Sequence, residues 1–149
     1  MNPHNKQKYF VRSTPRSKMG EVIFWAVAHS KEELMEYFPN GYEFIDEHEF
    51  VEYWPDNKYL VFDVDEEPNS VFTAIIAASH GKDSYWCFFE DCNKIREVKV
   101  YAFSGDDIVE KFSNLYLPKL HLITTHKKPS HYRLENVDID KPKPWMKLR

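Results

Sequence analysis

Glycine is scarce in this chain, with four among 149 residues. They lie far apart, which excludes a glycine-rich loop that cradles phosphate on successive backbone N–H groups. Cysteine is scarcer still. Cys87 and Cys92 are too few for a disulfide framework, and both are expected to be reduced and mostly packed. Cys87 sits in an aromatic run with no basic neighbour to activate a thiolate, and no Gly-x-Ser-x-Gly elbow occurs, so nucleophilic catalysis finds no footing. No apolar run reaches the roughly 18 residues that a membrane span needs. The opening "MNPHNKQKYFVR" is polar and lacks the apolar centre of a secretion signal. A cytoplasmic location with no membrane partner is therefore expected. The sequence read alone shows no internal repeat.

Aromatic residues and segregated charge are what the chain does have. A hydrophobic share of 42% and an aromatic share of 16% suit one globular core. The net charge of −4 conceals three zones. Residues 1–20 hold five basic residues and no acid. Residues 21–67 hold fourteen acids against Lys31 and Lys58, a balance of −12. Residues 68–149 hold thirteen basic and ten acidic residues, a balance of +3. Within the acidic zone, "EFIDEHEFVEYWPDNKYLVFDVDEE" alternates acids with Phe, Tyr and Trp. Such a stretch is either a solvated face over a core or a contact surface for a basic partner, with carboxylates steering association and aromatics anchoring it. Nucleic acid is an unlikely ligand for that face.

"KYFVRS", "EVIFWAVAH" and "KYLVFDV" read as strands, and "SYWCFFE" with "KIREVKVYAF" as a hairpin turning at Asp91–Lys94. Ser30 followed by Glu33 predicts a capped helix stopped by "PNG", and Asp46 with Glu49 repeats the pattern over "DEHEFVEYW". "SVFTAIIAAS" (Ser70–Ser79) has no clear period; its β-branched residues favour a buried strand. A helix starts at Ser104 or Asp106, with acids in its first turn, and "KLHLITT" is a last strand. The expected fold is α+β: a mainly antiparallel sheet with two or three short helices packed on it. A ferredoxin-like β-α-β-β-α-β order is one version of it. The expected layout is a single domain over 1–126 and an extended basic tail over 127–149, partly docked through Tyr132, Leu134 and Trp145.

Candidate chemistries are few. His121, His126 and His131 recur at intervals of five, a spacing that gathers them on no regular element. A Cys2His2 zinc site from Cys87, Cys92, His121 and His126 fits only loosely, and the His-x-Ser/Thr pattern of two-histidine phosphoesterases is missing. Pro55-Asp56, Asp63 and the strand-borne Glu97-Val98-Lys99 would suit a magnesium nuclease. Over these few residues the spelling resembles the restriction-endonuclease-like signature, which would imply Asp56, Asp63, Glu97 and Lys99 as the catalytic set. Asp56 and Asp63 lie in the negative zone, a poor path for nucleic acid. Trp25 and Trp86 are expected in the core rather than lining a ligand pocket.

The expectation that ranks first is a non-enzymatic module without cofactor or metal. It would bind and neutralise a basic nucleic-acid-binding or nuclease partner, in the manner of a bacterial toxin-immunity protein or a phage anti-defence protein. Its contact residues would be Glu43, Asp46, Glu47, Glu49, Glu52 and Asp56, with Tyr53 and Trp54 as anchors; Asp63, Asp65, Glu66 and Glu67 come second. The nuclease and a homo-oligomeric assembly protein are the alternatives.

Overall fold

The structure, a computed structural model, describes residues 5–14, 17, 20–46, 60–125 and 135–148. It is an α+β fold with two four-stranded sheets, and the chain divides into two compact units after His80. The expected single sheet is thus two, each with its own core.

In the first unit, β1 (Gln7–Ser13) and β2 (Ile23–Ala28) form an antiparallel hairpin. Helix α1 (Lys31–Tyr37) follows, then β3 (Tyr42–Asp46), which pairs antiparallel with the far side of β1. Strand β4 (Val61–Asp63) joins β2 in parallel, giving the order β3-β1-β2-β4. Alternation along each strand sends Tyr9, Val11, Phe24, Ala26, Ala28 and Phe62 to the core face. Leu34 and Phe38 of the α1 segment close over them. Phe24, Phe38, Phe62 and Phe72 contact one another at centroid separations of 5.1–5.3 Å, edge-on or tilted, a geometry that adds about 1 kcal/mol per pair beyond burial.

Ser70–Ser79, expected as a buried strand, is helix α2. Every residue from Phe72 to Ser79 is buried, so no exposed polar face marks the 3.6-residue period, and a short buried run reads alike for strand and helix. The start signal was present: the Asn69 side chain accepts the Phe72 N–H at 2.9 Å.

The second unit runs β5 (Asp83–Asp91), β6 (Lys94–Ala102), α3 (Gly105–Asn114), β7 (Lys119–Thr124) and β8 (Glu135–Asp138). Its sheet order is β7-β5-β6-β8, with β8 parallel to β6. Residues 135–138, anticipated as part of an extended tail, are therefore an edge strand, and Trp145 and Met146 pack on this core. Among the described residues the first unit runs β-β-α-β-β-α and the second β-β-α-β-β, neither in the β-α-β-β-α-β order. The β5–β6 hairpin turns at the expected place, with Cys92 and Asn93 at φ 51° and 66°, the two left-handed positions of a two-residue hairpin turn.

Strand β7 carries a bulge. Phe88 faces Leu122 and Phe89 faces Leu120, leaving His121 as the extra residue. Leu120 and Ile123 consequently both pack on the core although an odd interval separates them, while Leu122 is exposed.

Candidate functional site: an acidic end of the first sheet

Strand direction determines where the acids of the first unit collect. β1 is antiparallel to β2 and β3, and β4 is parallel to β2, so β2, β3 and β4 end at the same side of the sheet. Asp46 closes β3 there, and Asp63, Asp65, Glu66 and Glu67 follow from β4. Glu32 and Glu33 stand in the first turn of α1, just beyond β2, where the helix dipole favours carboxylates. The crowding is felt by Tyr9: burial first, then the charges of Asp46 and Glu32, raise its phenol above the ordinary value.

Part of this charge is neutralised internally. Lys6 Nζ lies 2.9 Å from Asp63 Oδ1 and 3.0 Å from Asp65 Oδ2. Its hydrogen bond holds the Asp63 carboxyl below the usual range, helped by the Asp65 N–H. Those same carboxylates hold Lys6 above its ordinary value. His29 places Nδ1 3.1 Å from Glu33 Oε1 and Nε2 4.0 Å from Asp65 Oδ2. What remains unpaired is Glu32, Glu66 and Glu67, all exposed and without an ion pair among the described residues. Asp63, Glu66, Glu67 and Asn69 line a hollow of about 110 Å³ together with Val61 and Phe72.

The anticipated contact residues separate on this geometry. Glu43 and Asp46 are three apart on β3 and point to opposite faces: Asp46 lies across from core-facing Tyr9, Glu43 across from exposed Arg12. Glu43 forms an ion pair with that arginine. Glu47, Glu49, Glu52, Tyr53, Trp54 and Asp56 lie outside the described residues, as does the helix anticipated over them. Asp63 and Asp65, ranked second from sequence, are held by Lys6. Glu66 and Glu67 are the described candidates left open.

The nuclease set is divided along the chain and is not all among the described residues. Asp56 lies outside them, Asp63 is in the first unit's sheet, and Glu97 and Lys99 are on β6 of the second. Lys99 Nζ sits over the rings of Trp86 at 5.3 Å and Tyr101 at 5.8 Å. No group of three or more His, Cys, Asp or Glu that could hold a metal occurs among the described residues. His121 approaches Glu90 at 3.6 Å; His126 and His131 are outside the described residues. Cys87 is buried, which pushes its thiol up to about 12, whereas Cys92 is exposed at the hairpin tip and not packed as expected. An open groove of about 380 Å³ in the second unit is lined by Tyr85, Gly105, Val109 and Ile123 with Asp106, Thr124 and Thr125, and involves neither Trp25 nor Trp86.

Sequence reasoning missed the two lysine clasps. Besides Lys6, Lys82 Nζ meets Asp138 Oδ1 at 2.6 Å and Asp140 Oδ2 at 2.9 Å. The signal was legible: "VFDVD" and "NVDID" spell an Asp-x-Asp twice, each after a strand-like run. No protein-family model, curated protein or solved structure matches the chain.

Proposed function

We propose that this protein is a non-enzymatic binding module whose first unit engages a basic protein partner through the acidic end of its sheet. The observation that carries this reading is the convergence of β2, β3 and β4, which brings Glu32, Asp46, Glu66 and Glu67 to one side of the sheet. Residues 1–80 hold fourteen acids and seven basic residues, whereas residues 81–149 hold ten and thirteen, so the negative charge belongs to one unit. Carboxylates accept the charged hydrogen bonds that Arg and Lys otherwise give to phosphate, so such a surface suits an inhibitor of a nucleic-acid-binding or nuclease protein. Asp46, with Glu47, Glu49, Glu52 and Asp56 and the aromatic Tyr53 and Trp54 of the adjoining sequence, completes the contact set; Glu43 is less suited, being paired with Arg12.

The test is affinity capture from lysate at 50 and 500 mM salt with the native chain and with the Glu66→Lys, Glu67→Lys variant. The reading expects one basic protein, retained at low salt and lost both at high salt and on charge reversal, because exposed charge pairs are screened. Equal capture by both chains removes this surface. A regular oligomer with no second protein favours the assembly alternative.

A further inference from the structure

We infer that the chain is a tandem duplication of one β-β-α-β-β module, whose signature is a lysine ahead of the first strand clasped by both carboxylates of an Asp-x-Asp at the end of the last. The inference is independent of any partner. Strand order and pairing directions agree strand for strand between the units. Shared topology alone recurs by chance; here the same atoms also pair at matched positions.

Superposing the registers aligns the sequences. Ala28 faces Gln7 and Ala102 faces Asp83 at the same end of each hairpin. From these alanines "AHSKEELMEYF" and "AFSGDDIVEKF" run in step. Ser30 and Ser104 both cap their helices, their hydroxyls accepting the N–H of Glu33 at 3.1 Å and of Asp107 at 3.2 Å. Leu34 matches Ile108 and Phe38 matches Phe112, all four buried.

The clasp is the closest match. Lys6 reaches Oδ1 of Asp63 and Oδ2 of Asp65; Lys82 reaches Oδ1 of Asp138 and Oδ2 of Asp140. Asp65 N–H donates to Asp63 Oδ1 at 2.9 Å, and Asp140 N–H to Asp138 Oδ1 at 3.0 Å. The residue between the two aspartates donates to the second strand in each case, Val64 to Val27 O and Ile139 to Tyr101 O. The chemistry has a physical use. The last strand is a short parallel edge, the weaker kind of pairing, and the lysine ties it to the first strand across the one between them.

The duplication sorts the carboxylates. Asp63, Asp65, Asp138 and Asp140 are architecture common to both modules. Asp46 and Glu66 are not common: the registers set Thr125 and Lys141 in their places. Charge diverged at the rim while the clasp was kept.

Double-mutant cycles on the full chain test the equivalence, using Lys6→Met with Asp63→Asn, and Lys82→Met with Asp138→Asn, read as urea midpoints. Both pairs should be coupled, each double variant unfolding near the midpoint of its worse single variant. Additive effects in either pair overturn the inference. Should Lys82→Met fail to fold, nitrogen-15 spectra of the native chain replace the cycle. Slowly exchanging Nζ protons on both lysines support the shared clasp, and their presence on only one overturns it.

Discussion

Lys82 Nζ sits 2.6 Å from Asp138 Oδ1 in a pair whose side chains are 9% and 6% exposed. It joins the residue before β5 to the last residue of β8. Burial by itself would lower the lysine's affinity for its proton; the hydrogen bonds to Asp138 and Asp140 outweigh it and raise the value. Breaking such a pair strands a buried carboxylate. Lys82→Met should therefore cost about 3 kcal/mol in urea unfolding. Lys6→Met should cost clearly less, because Asp65 is 57% exposed and water screens that clasp. Equal losses would show that burial does not set the difference.

The clasps also fix the pH range of stability. Asp63 is held low by Lys6, and Asp140 by Lys111 and then Lys82. Each contributes fully above the ordinary carboxylate value of 3.8, and the contribution is lost as pH falls through the lowered native values. Lys6, Lys82 and Lys111 are raised, so their contribution is complete below 10.5 and is lost as pH rises through the raised values. Urea midpoints measured from pH 3 to 11 should show a plateau between roughly 5 and 10, with shoulders removed by Lys6→Met and Lys82→Met. A maximum confined near pH 7 would contradict this.

The two thiols should differ sharply. Cys92 is exposed, whereas Cys87 is buried with its thiol pushed up to about 12. A thiol reagent at pH 8 should modify one equivalent in the folded chain and two in urea. Two fast equivalents without denaturant would show that the β5–β6 face opens.

Matched caps should have matched energies. Ser30→Ala and Ser104→Ala each remove a hydroxyl that accepts an N–H at the first turn, and each should cost about 1 kcal/mol in urea unfolding. A neutral result at one position would mean that its helix is held by packing alone.

Local features were legible where one interaction decides them. The Ser30 and Ser104 caps and the Asp91–Lys94 turn are each specified by a few adjacent residues. Ser70–Ser79 was not legible, because burial on all sides erases the polar face that would reveal its period. Neither was the face of Leu120 relative to Ile123, since one bulged residue, His121, reverses the alternation beyond it. The division into two units escaped because the modules share few identities, and their kinship lies in register and in the reach of Lys6 and Lys82. For the acidic site, the sequence showed density of charge along the chain. Which acids stay open depended on partners far away in sequence: Arg12 takes Glu43, and Lys6 takes Asp63 and Asp65.

The most direct test of the proposed binding surface is an amide chemical-shift titration of the native chain with an arginine-rich decapeptide at low salt. The account predicts shifts centred on Glu32, Asp46, Glu66 and Glu67, erased by 500 mM salt and absent from the Glu66→Lys, Glu67→Lys variant. Shifts centred instead on Asp106 and Asp107 of the second unit, or no shifts at all, would contradict it.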